Sequence, residues 1–341
     1  MSHALFDKVY VEKRASEDKV TGEILERLGN PSPEYIGHYK DLFDAYRPSE
    51  EIKVSGRGGV SSANESRSLI LAHNPGKRLY EGAPVCQSFG NEHFYYSPCV
   101  MNCIYDCEYC FLKGMYPGRA ICVFTDIDET FAELDEIEKE HDAYVCASYN
   151  TDLVALEDVT GYVEKWCSKT ASDKKLTTEI RTKCSRTDIY GKLPISDRVI
   201  FAFTLSPDEI IRDYEKGTPF LEGRLKAVQA AADAGFSVRL CFDPMIYVRK
   251  WREMYGEMVR RTADEIKSVS IKDISIGTFR ISDQYLKNMR KKYPDSQIAQ
   301  YPYVSDKGYS RYPDKVADAM EDYMKEQLDL RFKEVPVFCW R

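Results

Sequence analysis

The sequence contains no apolar run approaching the roughly 18–20 residues that a membrane-spanning helix needs, so no transmembrane segment and no membrane partner are expected. Its start, MSHALFDKVYVEKRASEDK, carries too many charges for the apolar centre of a secretion signal, which predicts a cytoplasmic protein. An excess of positive charge is also missing. The formal net charge of −7 argues against a polyanion binder that works by bulk charge, although a local basic surface is compatible with it. Basic residues cluster at 249–252 (RKWR), at 290–292 (RKK) and at Lys307, Arg311 and Lys315. Each cluster taken alone reads as an ordinary solvated helix face. No internal repeat of fixed period is present, which sets aside solenoids and propellers. The 11 cysteines are an odd number in a long chain without a secretion signal, so a disulfide framework is not expected. Most read as reduced thiols, several of them as small buried hydrophobes.

What is present fits an α/β protein. The 341 residues suffice for one large barrel or two ordinary domains. Helical patterning in the first 50 residues (VTGEILERLG, EYIGHYKDLFDAY) is broken by NPSP, and the Gly/Ser-rich stretch 55–68 reads as a loop or linker. Residues 1–90 are therefore expected to form a mainly helical N-terminal extension. From about residue 93, short apolar runs alternate with amphipathic ones. Strands are predicted at 94–100, 143–149, 177–182, 199–205, 238–243 and 273–279, and helices at 128–140, 156–169, 221–235 and 251–266, with Gly235 at a helix C-cap. VIFAFTL (199–205) is apolar on both faces, as a strand covered on both sides should be. Six βα units in series predict an incomplete (β/α)6 TIM-type barrel over 91–341, ending in a helical segment. Ligands on such sheets bind at the carboxyl ends of the strands.

The stretch CIYDCEYC places Cys103, Cys107 and Cys110 in a C-x3-C-x2-C spacing just after the first predicted strand. A structural zinc site takes four ligands, usually as two spaced pairs. Cys99 could be a fourth, but it falls within a predicted strand, and no distant pair with zinc spacing is present. A [4Fe–4S] cluster takes one thiolate per iron. Three cysteines then leave one iron open to a small molecule, and the neighbours Tyr105, Tyr109 and Phe111 would exclude water and tune the potential.

A C-x3-C-x2-C loop after the first strand of an incomplete barrel resembles the radical S-adenosylmethionine (SAM) superfamily. The resemblance implies that the open iron chelates SAM and that one electron cleaves it to a 5′-deoxyadenosyl radical. It also implies that Tyr109, just before the last cysteine, lies near the adenine. Further segments narrow the likeness: ASYNTDLVALE (147–157), TEIRTKCS (178–185), FTLSP (203–207), EKGTPFLEGRLKAVQAAADAGF (215–236), FDPMIY (242–247), IGTFR (276–280), KYPDSQ and DKGYSRYP within 292–313, and VYVEKRA (9–15). Together they resemble the spore photoproduct lyase family from about residue 9 to 330, thinning between 16 and 90.

That resemblance implies direct reversal of the methylene-bridged thymine dimer made by ultraviolet light. The partners it implies are damaged DNA or a dinucleotide lesion and an electron donor such as a flavodoxin or ferredoxin, with no stable protein partner. Carried over residue by residue, Lys183 would face the SAM carboxylate, Thr151 and Thr204 would place hydroxyls beside SAM, and Arg311 and Tyr312 would lie at the lesion. A surface lysine and strand-propensity threonines are the plain readings of the first three. Two positions depart from the family pattern. Tyr149 stands where the family's donor cysteine ends the second strand, and Phe111 stands where a tyrosine usually follows the last cluster cysteine. The hydrogen donor is then open among Tyr149, Cys86 or Cys99, and Cys146, the last expected on the opposite strand face from Tyr149. A lesion inside a duplex would have to be extruded. Contacts would go mainly to phosphates, for which the basic and aromatic residues of 306–315 are suited. A radical SAM enzyme acting on another nucleotide lesion or a peptide is the alternative, and a zinc-stabilised nucleic-acid-binding barrel is a third reading.

Overall fold

A computed structural model describes residues 5–45, 68–82, 86–116, 118–266 and 269–340. The β-branched and aromatic runs form an eight-stranded sheet in the order Val337–Cys339, Ile271–Thr278, Ser237–Met245, Val199–Thr204, Leu176–Thr182, Ala143–Cys146, Phe94–Tyr96 and Tyr80–Glu81. From Phe94–Tyr96 through Ile271–Thr278, every neighbouring pair is parallel. Val337–Cys339 adds one more parallel strand, and Tyr80–Glu81 pairs antiparallel at the other edge. The sheet curls into the expected partial barrel, and the helices Tyr162–Ser172, Leu221–Asp233 and Trp251–Glu265 cover its outer face.

Local sequence explains these elements. All six residues of Val199–Thr204 are buried. Val199, Phe201 and Phe203 join the main core while Ile200 packs with Phe89 and Tyr144, as two-sided burial requires. Leu221–Asp233 ends in a Schellman cap. Gly235 has φ +92°, its N–H donates to Ala232 O (2.9 Å), and the Phe236 N–H donates to Ala231 O (3.1 Å). The helix predicted at 156–169 is broken in two by Gly161 at φ +66°.

Two expectations are corrected. The strand predicted at 94–100 splits: Phe94–Tyr96 stays in the barrel, while Val100–Met101 pairs antiparallel with Ile121–Phe124 in another sheet. Pro98 lies at the break and has no N–H for a ladder. The N-terminal part is mixed rather than mainly helical. The helices Lys19–Arg27 and Tyr39–Ala45 form where the patterning placed them. Lys8–Glu12, Glu34–Ile36 and Ser68–Ala72, however, build a parallel sheet that continues into Ile121–Phe124. Runs this short escape a search for helical period, and this sheet joins residues on both sides of position 90. The Gly/Ser-rich stretch lies, except for Ser68, outside the described residues. No described helix is long and apolar enough to cross a membrane.

A charged knot lies inside the barrel. Arg239, 1% exposed, bonds both Asp273 oxygens, Glu179, and the Tyr144 hydroxyl at 2.6 Å. The Phe89 ring lies 3.3 Å from its guanidinium carbon. Removing one partner of a buried ion pair strands the others without water. Arg239→Met is therefore expected to cost about 3–5 kcal/mol in urea unfolding; a change well under about 1 kcal/mol would show that the knot does not hold the strands together.

Candidate active site

The cysteine loop is pinned from both ends. Asn102 takes a left-handed backbone (φ +67°), and its Nδ2 donates to Ala120 O at 2.8 Å, which turns the chain out of its strand. Asp106–Cys107 then pairs antiparallel with Glu215–Lys216, and the Glu108 N–H donates to Tyr214 O at 2.7 Å. The Asp106 carboxylate receives Lys113 and Arg119, each at 2.6 Å. Held this way, the loop forms one wall of a cavity of about 350 Å³ at the carboxyl ends of the barrel strands. Cys103, Cys107 and Cys110 all line it, with Tyr109, Thr151, Lys183 and Thr204. The sequence reading is brought together at these positions.

Sequence reasoning missed the group that anchors this wall. Glu215 is buried, and its carboxylate accepts the Tyr109 hydroxyl, Ser206 Oγ at 2.7 Å and Arg224 Nη2 at 2.5 Å. Burial works against its charge, but Arg224 and Lys183 overcome this and hold its pKa down to about 2. The Lys183 ammonium sits 5.4 Å over the Tyr109 ring. Burial opposes the Lys183 charge, yet Cys107 and Glu215 push its pKa upward. Its strand end is fixed by Asp152, which accepts the Lys183 N–H at 2.7 Å and Thr182 Oγ1 at 2.8 Å. Thr151 Oγ1 is buried without a hydrogen-bond partner among the described residues, so it is left to a ligand. Thr204 lines the cavity while its carbonyl accepts Arg224 Nη1 at 2.9 Å.

The donor candidates separate. Cys86 Sγ lies 3.4 Å from Tyr149 Oη, and both line the cavity. Tyr149 stacks on Tyr96 at 4.5 Å and tilts against Phe111 at 5.4 Å. Burial, then Cys86, pushes the Tyr149 pKa upward, which keeps its proton in place. Cys146 lines the same cavity rather than the opposite face. The strand stops at Cys146 and residues 147–151 turn, so strand alternation does not reach Tyr149. The Cys146 thiol rests 3.8 Å from Glu179 Oε1. Cys99 is not brought to the cavity; it is buried in the main core with its thiol on Ala147 O at 3.6 Å.

Arg311 and Tyr312 also stand outside the cavity lining. Arg311 is opposite Arg280, a wall residue, in an antiparallel pair, and ion pairs with Asp306 (3.3 Å) and Asp314 (2.5 Å) hold it. Tyr312 is buried, and its hydroxyl accepts the Tyr247 N–H at 3.0 Å. The cavity wall opposite the cysteines carries Glu179, Arg181, Asp243, Arg280 and Trp340. Arg181 bonds Asp243 at 3.0 Å. Glu179 and Arg181, Asp243 and Arg280 fall within the segments TEIRTKCS, FDPMIY and IGTFR that carry the family resemblance, but nothing local in those segments marks them as one wall.

Three thiols on one loop suit a cluster better than a single ion. Tetrahedral zinc sets its sulfurs about 3.8 Å apart. Among the described residues, the groups of ligand atoms that all lie within 4.8 Å of one another are His73–Asp126–Glu129 and Asp135–Glu138–Asp173. Cys103, Cys107 and Cys110 do not form such a group. Burial raises the Cys103 and Cys110 pKa and pushes that of Cys107 up to about 12; a bound metal favours the thiolate in each.

Comparison with known proteins agrees with this geometry. The family model described as spore photoproduct lyase matches residues 91–336. A spore photoproduct lyase of Clostridium acetobutylicum is 22% identical over 303 residues, covering 86% of this chain and 84% of that protein. That of Bacillus subtilis is 19% identical over 297 residues, covering 85% and 83%. A match of 21% identity to the protein from a Geobacillus species spans 60% of this chain and 62% of that one. The structure of a spore photoproduct lyase complexed with dinucleoside spore photoproduct superimposes with a TM-score of 0.81 at 18% identity, covering 98% of both chains. A variant with bound AdoMet and the same dinucleoside gives 0.81 at 19%, again covering 98% of both.

Glu215→Gln should destabilise the protein by about 3–5 kcal/mol at neutral pH, because Arg224 stays buried without its counter-charge. The native Glu215 pKa is depressed from 4.5 to about 2. Its contribution is thus fully present above pH 4.5 and lost as pH falls towards 2. Urea midpoints measured across that window should fall in the native protein and stay flatter in the variant.

Proposed function

This chain belongs to the spore photoproduct lyase family, and from that premise we propose that it splits the methylene bridge of the spore photoproduct to return two thymines, a carbon–carbon lyase reaction. The observation that carries the reading is a single cavity holding three cluster cysteines, an orphaned threonine hydroxyl, a half-buried lysine and a thiol–phenol pair. Cys103, Cys107 and Cys110 would hold a [4Fe–4S] cluster, with SAM beside it. When bound, these groups supply the one-electron cleavage that makes a 5′-deoxyadenosyl radical able to take hydrogen from the lesion.

The protein's residues do the rest. Lys183, kept charged by Glu215 and Cys107, offers its ammonium to the SAM carboxylate. Thr151 and Thr204 offer hydroxyls to SAM, and Tyr109, locked by Glu215, presents its ring to the adenine. The closely packed aromatic wall holds the reacting groups in place and limits the weak X–H bonds that a carbon radical can reach. Cys86 and Tyr149 act as one hydrogen-donating unit: one X–H bond breaks as a C–H bond forms on the thymine radical. The 3.4 Å contact between them lets a second hydrogen follow from phenol to thiol or the reverse. Arg311, on the strand beside Arg280, would meet the lesion's phosphate backbone outside the cavity, with the buried Tyr312 holding the backbone behind it.

Cys103→Ala should abolish iron retention and all SAM cleavage, read by iron content and 5′-deoxyadenosine release. Cys86→Ala and Tyr149→Phe should each keep SAM cleavage but lower thymine release from dinucleotide spore photoproduct by roughly tenfold or more, about 1.4 kcal/mol of barrier. Unchanged thymine release in both would place the donor elsewhere. SAM cleavage by the native protein without thymine release would mean a different substrate.

A further inference from the structure

Among the described residues, three acids line the cavity: Asp152, Glu179 and Asp243. They differ in the acceptor capacity left over. Asp152 takes Thr182 Oγ1 and the Ala155 N–H on one oxygen and the Lys183 N–H on the other. Glu179 is taken up by Tyr144, Arg181 and Arg239. Asp243 accepts Arg181 Nη1 on Oδ2 at 3.0 Å, while its Oδ1 is buried without a hydrogen-bond partner among the described residues. A carboxylate offers about four acceptor positions, so the bond to Arg181 leaves most of this one unused. Buried polar atoms in a folded protein are nearly always paired, and a spare acceptor on a cavity wall points to a donor on the ligand.

The neighbours of Asp243 restrict that donor. Arg181 stands beside it, and Arg280 belongs to the same wall. Burial lowers the Arg280 pKa, and the Asp243 charge works against that shift. The Arg280 guanidinium carbon lies 5.4 Å from the centre of the Trp340 ring. Gly277 lets the chain end come this close, because a Cβ there would stand 2.8 Å from the Trp340 carbonyl oxygen, and the Trp340 N–H donates to Ile276 O at 3.1 Å. The wall thus offers an acceptor accompanied by two cationic donors, next to an aromatic face. Two guanidiniums repel a cationic group and the carboxylate repels an anionic one. A neutral edge with one N–H between two carbonyls suits such a row. That is the pairing edge of a pyrimidine-2,4-dione, and extruded bases are read by hydrogen bonds to this edge and by aromatic contact. Both rings of the spore photoproduct keep the imide, and with N1 joined to the sugar it is the sole N–H of each base.

We propose that Asp243 determines specificity for the lesion: its carboxylate accepts the imide N–H of one thymine ring, while Arg181 and Arg280 donate to the carbonyls that flank it. The inference rests on the reading that this cavity takes the thymine dimer. It makes the site selective for the imide. A cytosine-type half presents a ring-nitrogen lone pair at the same place, which a carboxylate repels, and it leaves the spare acceptor unpaired.

The test sets two altered lesions against one altered residue. Dinucleotide spore photoproduct is compared with two forms methylated at N3, one on each ring, using the iron-loaded full chain with SAM. Affinity is measured by calorimetry without reductant, and kcat/KM for thymine release is measured with dithionite. In the native protein, one methylated form should bind and react roughly tenfold to a hundredfold less well, the scale of a hydrogen bond to a charged group, and the other should lose less. Asp243→Asn keeps the shape of the side chain but turns an amide N–H2 to the imide when its carbonyl faces Arg181. The unmodified lesion should lose a similar factor there, and methylation should then add little, as expected for two changes to one contact. Equal behaviour of all three lesions in the native protein overturns the proposal. So does a methylation penalty that persists in full in Asp243→Asn, which marks bulk rather than the bond, and so does a rise in the KM for SAM in that variant, which assigns the carboxylate to the cofactor. Native protein that cleaves SAM yet releases no thymine from the unmodified lesion overturns the underlying reading, whereas thymine release indifferent to methylation overturns this inference alone.

Discussion

A single buried carboxylate organises the catalytic end of the molecule. Glu215 opens a two-residue strand beyond the fourth barrel strand, and it fixes the Tyr109 hydroxyl of the cysteine loop and the guanidinium of Arg224 on the following helix. The backbone beside it pairs with Asp106–Cys107. A charge taken this far from water is tolerable only when its partners surround it. Satisfying that charge forces the loop, the helix and the strand end into one arrangement. Lys183 depends on the same charge, because an ammonium inside the barrel mouth needs a nearby anion to stay protonated.

The site divides into halves with different physics. Around the cysteines the lining is aromatic and apolar, with a few donors aimed inward, which suits a cofactor that must be kept dry. The opposite wall is built from paired charges, Glu179 with Arg181 and Arg239, and Arg181 with Asp243, and is finished by Trp340. The paired charges brace strands that would otherwise bury lone ions, and they present a polar surface without a large net charge.

The barrel was legible because its strands are long, apolar and spaced by amphipathic helices. The cysteine loop was legible because its ligand spacing is local. The N-terminal sheet was not, since strands of three to five residues such as Glu34–Ile36 and Lys8–Glu12 leave too short a pattern. Glu215 opens the recognisable segment 215–236, but its role depends on Tyr109, 106 positions away, and nothing local marks a residue for burial at such range. Cys86 and Tyr149 were each singled out, but their pairing depends on a loop and a strand end meeting across 63 positions. Cys146 was placed on the wrong side because periodicity holds only while the strand lasts.

The thiol–phenol pair sits on the rim rather than in the barrel. Cys86 precedes the first barrel strand and Tyr149 lies in the turn after the second, so neither belongs to a ladder that keeps the strands in register, although the Tyr149 ring stacks on Tyr96. Atom-transfer chemistry placed on loops can be moved from one rim position to another by a single substitution, without rebuilding the scaffold beneath. Catalytic hardware on this architecture is in that sense a fitting rather than a foundation.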